Sequence, residues 1–200
     1  MNASVDICNM ALDYINVENI TSIDEETKQA KKCKFWYEQV RKSLLLNLNA
    51  TFSIKRARLV EDDNYKEIFG YKKAYLLPKD CLKVISLGNP TLANYHQQEG
   101  DYFYCNEDEV YIRYLADVND VSKYDAEFND LFALTLATKI CLPLTNDYEK
   151  LNFIKGLEQQ QYIICSAKYG NDNKPVIVTK PRYRNSRYDA EIEIADVPMR

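Results

Sequence analysis

The sequence predicts an α+β protein that is mainly α: an antiparallel helical bundle with an inserted antiparallel β excursion and an extended C-terminal arm. Three observations predict it. Apolar residues recur at helical spacing near both ends of residues 1–170. Between those stretches lies Tyr71-Lys72-Lys73-Ala74-Tyr75-Leu76-Leu77-Pro78-Lys79-Asp80-Cys81-Leu82-Lys83-Val84, which reads as strand, corner and strand. Pro78 fixes its own φ and drives Leu77 towards extended backbone, so the corner is rigid. After residue 170 the apolar periodicity stops and prolines enter at 175, 181 and 198. The expected organisation is a helical body from residues 1–50 and 122–170, a β region at 51–121 and an arm at 171–200.

The first helix is expected over 4–14, with Ser4 as cap and Val5, Cys8, Leu12 and Ile15 on one face. A second opens at Ser22-Ile23-Asp24-Glu25, a capping-box pattern with acidic residues at the positive end of the helix dipole. Behind it Ala30, Cys33, Tyr37, Val40 and Leu44 form an apolar stripe, and Lys28, Lys31, Lys32, Lys34, Arg41 and Lys42 fill the other faces. Phe52, Ile54, Ala57 and Leu59 suggest an extended passage into the acidic loop Glu61-Asp62-Asp63. Strands are expected near 73–77, 82–87, 102–105 and 110–115, with turn chemistry at Gly88-Asn89-Pro90 and Asn106-Glu107-Asp108. Ser122-Lys123-Tyr124-Asp125 repeats the capping arrangement before a helix that is apolar nearly all round, which belongs in the interior; Pro143 ends or kinks it. A fourth helix begins near Asn146 or Asp147, carries Leu151, Ile154, Leu157, Ile164 and Cys165, and stops at Gly170.

Two hundred residues suit one domain with an excursion and an arm, and such a chain buries roughly 70% of its unfolded surface without staples. The net charge of −4 is the wrong sign for a general nucleic-acid binder. Sixteen tyrosines against one tryptophan fit packed subunit contacts, and equally an AT-rich coding bias. Cys8, Cys33, Cys81, Cys105, Cys141 and Cys165 include no CxxC pair, and His96 is the single histidine. They read as reduced core thiols of a protein folded inside the cell, not as zinc ligands or disulfides. The N-terminus lacks the layout of a signal peptide, and no apolar run has membrane-spanning length, so no membrane contact is expected.

Enzyme chemistry has no foothold. His96 lies in a polar loop without a nucleophile–base pair nearby, the carboxylates at 61–63 read as solvated surface, and no glycine loop could cradle phosphate. A structural, non-catalytic protein without catalytic residues, cofactor or metal is expected. The alternative class is a nucleic-acid-binding protein that uses the arm, where Lys174, Lys180, Arg182, Arg184 and Arg187 interleave with Tyr183 and Tyr188. The acidic run Asp189, Glu191, Glu193 and Asp196 weighs against it.

In order along the chain, several groups of residues resemble one family. They are Ala11-Leu12-Asp13-Tyr14-Ile15, Ile20-Thr21-Ser22-Ile23-Asp24, then Ala30, Cys33, Tyr37, Val40, Arg41 and Leu44-Leu45. Phe52, Lys55-Arg56-Ala57 and Leu59 follow, and Tyr75-Leu76-Leu77-Pro78-Lys79-Asp80-Cys81-Leu82 is the strongest local likeness. Glu99-Gly100, Tyr104, a strand ending at Tyr114, and Asp125-Ala126-Glu127-Phe128 complete the series. Together, over about 11–172, they resemble the head-to-tail adaptors of tailed bacteriophages, the tail tubular protein A and head-completion proteins beneath the portal. The chain departs from that pattern at Ala50, where many relatives carry Trp, and throughout the arm.

The resemblance implies a ring of copies, commonly twelve, docked under the portal protein in the virion neck after assembly in the host cytoplasm. Such a ring extends the DNA ejection channel, through which genomic DNA passes without sequence-specific binding, and presents a platform for the tail nozzle or next tail component. An acidic balance suits a channel along which phosphates must slide. Roles follow by location. Portal docking falls to Arg182, Tyr183, Arg184, Arg187 and Tyr188 of the arm, since Arg and Tyr are favoured interface residues. The arm has too little apolar content to fold alone and is expected to order against a partner. Ring contacts fall to the second and fourth helices, with Lys28, Lys32 and Arg41 named on the second. The nozzle-facing set is Tyr102, Tyr104, and Asn94 and Gln98 with the loop between them.

Overall fold

A computed structural model of the chain describes residues 3–66, 69–88 and 96–172. Its order is α1 (Ala3–Tyr14), α2 (Lys28–Leu48), β1 (Ile54–Arg58), β2 (Val60–Glu61), β3 (Lys73–Leu76), β4 (Cys81–Leu87), β5 (Gln97–Glu99), β6 (Tyr102–Cys105), β7 (Tyr111–Ala116), α3 (Ala126–Thr145) and α4 (Tyr148–Asp172). Short 3-10 turns at Thr51–Ser53 and Val121–Lys123 mark the two crossings between helices and sheets.

The strands form two antiparallel sheets, of order β1-β7-β4 and β2-β3-β6-β5. This corrects the expected fold class. Helices make up 52% and strands 19% of the described residues, so the molecule is an α+β mixture and not a helical bundle with a small excursion. The reason lies in the edge strands. β1 reads Ile-Lys-Arg-Ala-Arg and β5 reads Gln-Gln-Glu, with little apolar alternation, and β2 has only two residues. Pro78 does mark a corner, but the strands on either side of it enter different sheets: β3 pairs with β2 and β6, whereas β4 pairs with β7.

The sequence of α3 fixes the centre. Phe128, Leu131, Phe132, Leu136, Ala137, Ile140 and Cys141 are fully buried, as its unbroken apolar girth requires. Asp125 caps it by accepting from Phe128 N–H at 2.9 Å, three residues after the expected Ser122, which sits inside the preceding turn. Pro143 lies in the last turn and the helix closes two residues later, where Asn146 adopts φ 52° and gives its N–H to Leu142 O at 3.0 Å. Asn49 ends α2 the same way at φ 48°. Asparagine thus supplies the left-handed caps that glycine usually provides.

An aromatic hub joins α3 to its surroundings. Phe52 lies 5.0 Å from Phe128, 5.2 Å from Tyr124 and 6.3 Å from Tyr169, ring centre to ring centre. Tyr37 of α2 lies 4.8 Å from Phe132. Each such pair contributes about 0.5–1.5 kcal/mol beyond its buried area. The same continuous core takes in Leu59, Tyr75, Phe103, Ile112, Tyr114 and Leu115 from the sheets.

The second helix starts later than its capping box suggests. Glu25 does reach back, accepting from the N–H groups of Thr21 and Ser22, but Ser22 Oγ accepts from Asp24 N–H, and the result is a turn. Thr27 is the true cap, accepting from Ala30 N–H at 3.2 Å. The stripe Ala30, Cys33, Tyr37, Val40 and Leu44 is buried as expected. Arg41 is not on the outer face. It is 4% exposed, and its Nε and Nη2 donate to the two carboxylate oxygens of Asp117, each at 3.1 Å. This bidentate pair pins α2 to the chain leaving β7.

Removing one member of such a pair leaves the other charge short of partners. Arg41→Ala is therefore expected to destabilise the protein by about 3 kcal/mol, whereas Lys28→Ala and Lys32→Ala stay within about 0.5 kcal/mol. Urea denaturation of the three variants checks this.

Candidate interaction surfaces

α4 carries two apolar faces. One, formed by Leu151, Ile154, Leu157, Cys165 and Tyr169, lies against the core. Its alignment on α3 is fixed at the far end by polar ties. Tyr169 Oη donates to Asp125 at 2.7 Å, Lys168 Nζ reaches Glu127 at 2.8 Å and Asp125 at 3.1 Å, and Gln161 donates to Glu127 O at 3.1 Å. At the near end Asp147 accepts from Lys150 N–H at 2.9 Å, and Lys150 Nζ reaches Ile15 O at 2.9 Å.

The second face points to solvent. Phe153 is 68% exposed, Ile163 60% and Ile164 52%, so Ile164 does not belong to the buried stripe expected of it. Phe153, Gly156, Gln160, Ile163, Ala167 and Gly170 follow one another at spacings of three and four, the rhythm of a helix-packing seam. Thirteen residues between 152 and 171 are exposed and only Lys155 among them is charged; Phe153, Ile163, Ile164 and the small residues share the face with uncharged polar side chains such as Gln159, Gln160 and Ser166. The two glycines sharpen the point. A Cβ at Gly156 or Gly170 would touch nothing within 4 Å, so the chain itself has no steric need for glycine there. Glycine within a helix costs about 1 kcal/mol relative to alanine, and close approach by another backbone is the usual reason to retain it.

α2 offers a different surface. Phe35 is 62% exposed and stands edge-on to Trp36 at 5.0 Å, and Leu46 is 37% exposed further along. Lys28 is exposed and Lys32 half-buried at the same end. Of the three expected ring residues, these two remain on the surface, while Arg41 is committed to Asp117 within the chain.

On the four-stranded sheet, Tyr102 and Tyr104 share the outer face of β6, and Phe103 and Cys105 are buried on the other. Tyr104 lies 5.6 Å from the ring of Tyr65 and 6.0 Å from Tyr102, whose hydroxyl donates to Asp62 at 3.1 Å. Cross-strand pairing sets Val60, Leu76, Tyr102 and Glu99 in one row, with Val60 71% and Leu76 44% exposed. The two tyrosines therefore neither fill a local core nor stand alone: they belong to an apolar strip that sequence reasoning missed, because two-residue β2 gives no periodic signal. Gln98 is exposed on β5, and Asn94 lies outside the described residues. Arg182, Tyr183, Arg184, Arg187 and Tyr188 also lie outside them.

His96 stacks on Phe103 at 5.0 Å with 13° between planes, a packing role. No group of three or more metal-ligating side chains occurs among the described residues, and no helix there is long and apolar enough to cross a membrane. Comparison with protein-family models and with curated proteins finds no match to the chain.

The polar ties at the α3–α4 end have a definite pH sense. Burial pushes the Asp125 carboxyl up, but Tyr169, the Phe128 N–H and Lys168 together hold it below the usual range. Its contribution is complete above the ordinary carboxylate pKa of about 4 and is lost as pH falls through the lower folded value. Asp125→Asn keeps the helix cap and removes the titration. Its stability is expected to depend less steeply on pH below about 4 than that of the parent, measured by urea midpoints across that range.

Proposed function

We propose that this protein is a structural ring subunit, the head-to-tail adaptor of a tailed bacteriophage, which oligomerises beneath the portal, extends the DNA channel and docks the tail. The observation that carries the reading is the uncharged, glycine-containing seam on the solvent side of α4. A ring closes only through unlike surfaces, one patch of each subunit meeting a different patch of the next. Two such patches are at hand: the α4 seam, and the Phe35–Leu46 face of α2 with Lys28 and Lys32 at its end. In the proposed ring one packs on the other around the axis.

The strip of Val60, Leu76, Tyr102 and Tyr104 is then the platform for the nozzle or next tail component. Aromatic and aliphatic side chains on one face of the sheet suit a desolvated contact better than a hydrated channel wall. The arm reaches the portal. A nucleic-acid-binding role through the arm is less well supported, because its basic residues are followed at once by Asp189, Glu191, Glu193 and Asp196 in a chain of net charge −4.

The test mixes the full chain with its portal and counts subunits by native mass spectrometry and electron microscopy. Wild-type chain is expected to give closed rings. Ile163→Lys with Ala167→Glu is expected to abolish them while moving the melting temperature by less than about 2 °C, since both sites are exposed. Rings formed as readily by the double variant would contradict the assignment of α4. A chain ending at Asp172 that loads onto portals as well as the full chain would remove the arm from docking.

A further inference from the structure

The outer face of the three-stranded sheet gathers charge of one sign. Residues directly across from one another in an antiparallel pair share a face, with Cβ atoms about 5 Å apart. Arg113 of β7 pairs with Arg56 on one side and with Ser86 on the other, so these three form one row across all three strands. The next row is Arg58, Tyr111 and Gly88. Arg58 lies across from Tyr111, and Gly88 gives its N–H to Tyr111 O at 2.7 Å. The two rows line a trough of about 540 Å³. Lys83, across from Leu115, adds a further cation on the same face. In a chain of net charge −4 this face runs against the average.

The two rows differ in what they still lack. In the second, one Glu109 oxygen accepts from Arg58 at 2.7 Å and the other from Tyr111 Oη at 3.1 Å, so its charge is met and its side chains are held. Gly88 leaves the floor of the trough open, and a Cβ there would come within 2.8 Å of Tyr111 Cβ. In the first row two guanidinium groups stand side by side. Like charges directly opposite one another oppose the pairing of their strands. Arg56 is exposed and has no carboxylate partner among the described residues. The sheet thus carries a repulsion that its fold does not need, and an anion between the two arginines would turn it into attraction.

The number of donors says which anion. Within this chain one arginine satisfies one carboxylate: Nε and Nη2 of Arg41 occupy both oxygens of Asp117, each at 3.1 Å. Two arginines and a hydroxyl in one row are more than a carboxylate needs. A phosphate points its oxygens to the corners of a tetrahedron and can take a guanidinium on either side and a hydroxyl besides. The trough is also larger than a phosphate, within the range of sites for small organic ligands. Tyr111, 45% exposed, offers a ring on which a base can stack.

We propose that the row Arg56, Arg113 and Ser86 is a seat for the phosphate group of a nucleotide, free or within a nucleic-acid strand. The two guanidinium groups hold phosphate oxygens, Ser86 Oγ donates to a further one, and the wall of Arg58, Glu109 and Tyr111 receives the sugar and base. Such a contact reads a phosphate and not a sequence. It needs only local cations, because charges elsewhere on the chain are screened over about 8 Å at physiological salt. The seat does not rest on the ring reading, since a single chain either binds or does not.

Nuclear magnetic resonance titration of the full chain at constant ionic strength tests it. The probes are inorganic phosphate, thymidine 5′-monophosphate, a short oligothymidylate and oligoglutamate. The phosphate-bearing probes are expected to shift the amide signals of Arg56, Ser86 and Arg113 saturably. Arg56→Gln is expected to weaken them at least about tenfold, or about 1.4 kcal/mol. That variant also loses the repulsion from Arg113, so its urea midpoint without ligand is expected to equal or exceed the parent's, which separates lost binding from lost folding. Tighter binding of the oligothymidylate than of the monophosphate assigns the seat to a strand, and equal binding assigns it to a free nucleotide. Oligoglutamate binding as tightly as the phosphate probes would overturn the proposal in favour of an acidic peptide. So would shifts that do not saturate, or an unchanged dissociation constant in Arg56→Gln.

Discussion

Everything in this molecule depends on covering α3. A twenty-residue helix with apolar side chains around its whole girth has no face it can leave in water, so other elements must enclose it. α1, α2 and α4 do so from three sides. The aromatic hub around Phe52 carries the enclosure to the point where the chain turns into β1, so helices and sheets share a core. Arg41 and Asp117 fasten the second crossing, where the chain comes back from β7 towards α3. Sheets that would be marginal by themselves thereby gain a buried side.

Covering α3 needs only one face of each surrounding helix. On α1 and α2 the outer faces carry mostly polar residues, with Tyr14, Phe35 and Leu46 as exceptions. On α4 the outer face is nearly uncharged and interleaves Phe153, Ile163, Ile164 and small residues with uncharged polar ones. A helix with two apolar sides is only half satisfied by its own chain. In the proposed ring, this surface is what a neighbouring subunit would cover. The apolar row on the four-stranded sheet and the cationic trough on the three-stranded one add two further surfaces of different chemistry.

Much of this was legible in the sequence wherever burial imposed a period. The stripe of α2, the all-round apolar α3, and strands β3, β6 and β7 were readable because they carry buried side chains, and β4 because of its Leu, Val and Ile content, although none of its residues is fully buried. What escaped notice has physical causes. The edge strand β5 has polar side chains and β2 only two residues, so hydropathy could not mark them, and β1 was legible as an extended passage but not as a partner of β7. The box at Ser22 and Glu25 closes a turn instead of a helix, since Glu25 satisfies N–H groups of a loop that has not yet begun to wind. Arg41 looked like surface because its partner is Asp117, distant in sequence. The seam Phe153, Gly156, Gln160, Ile163, Ala167 and Gly170 was present in the letters, but only the structure distinguishes which of the two apolar sides of α4 is already occupied.

The central claim is that copies of this chain stand side by side around the channel joining capsid and tail. The decisive measurement is gold-labelled antibody against the folded body, applied to intact and to detergent-opened virions isolated from the source of this sequence. The account predicts label concentrated at the neck, at about a dozen epitopes per particle by quantitative mass spectrometry, in keeping with closed cyclic symmetry. Purified virions that contain none of the polypeptide, or carry it only on the capsid or the distal tail, would contradict it.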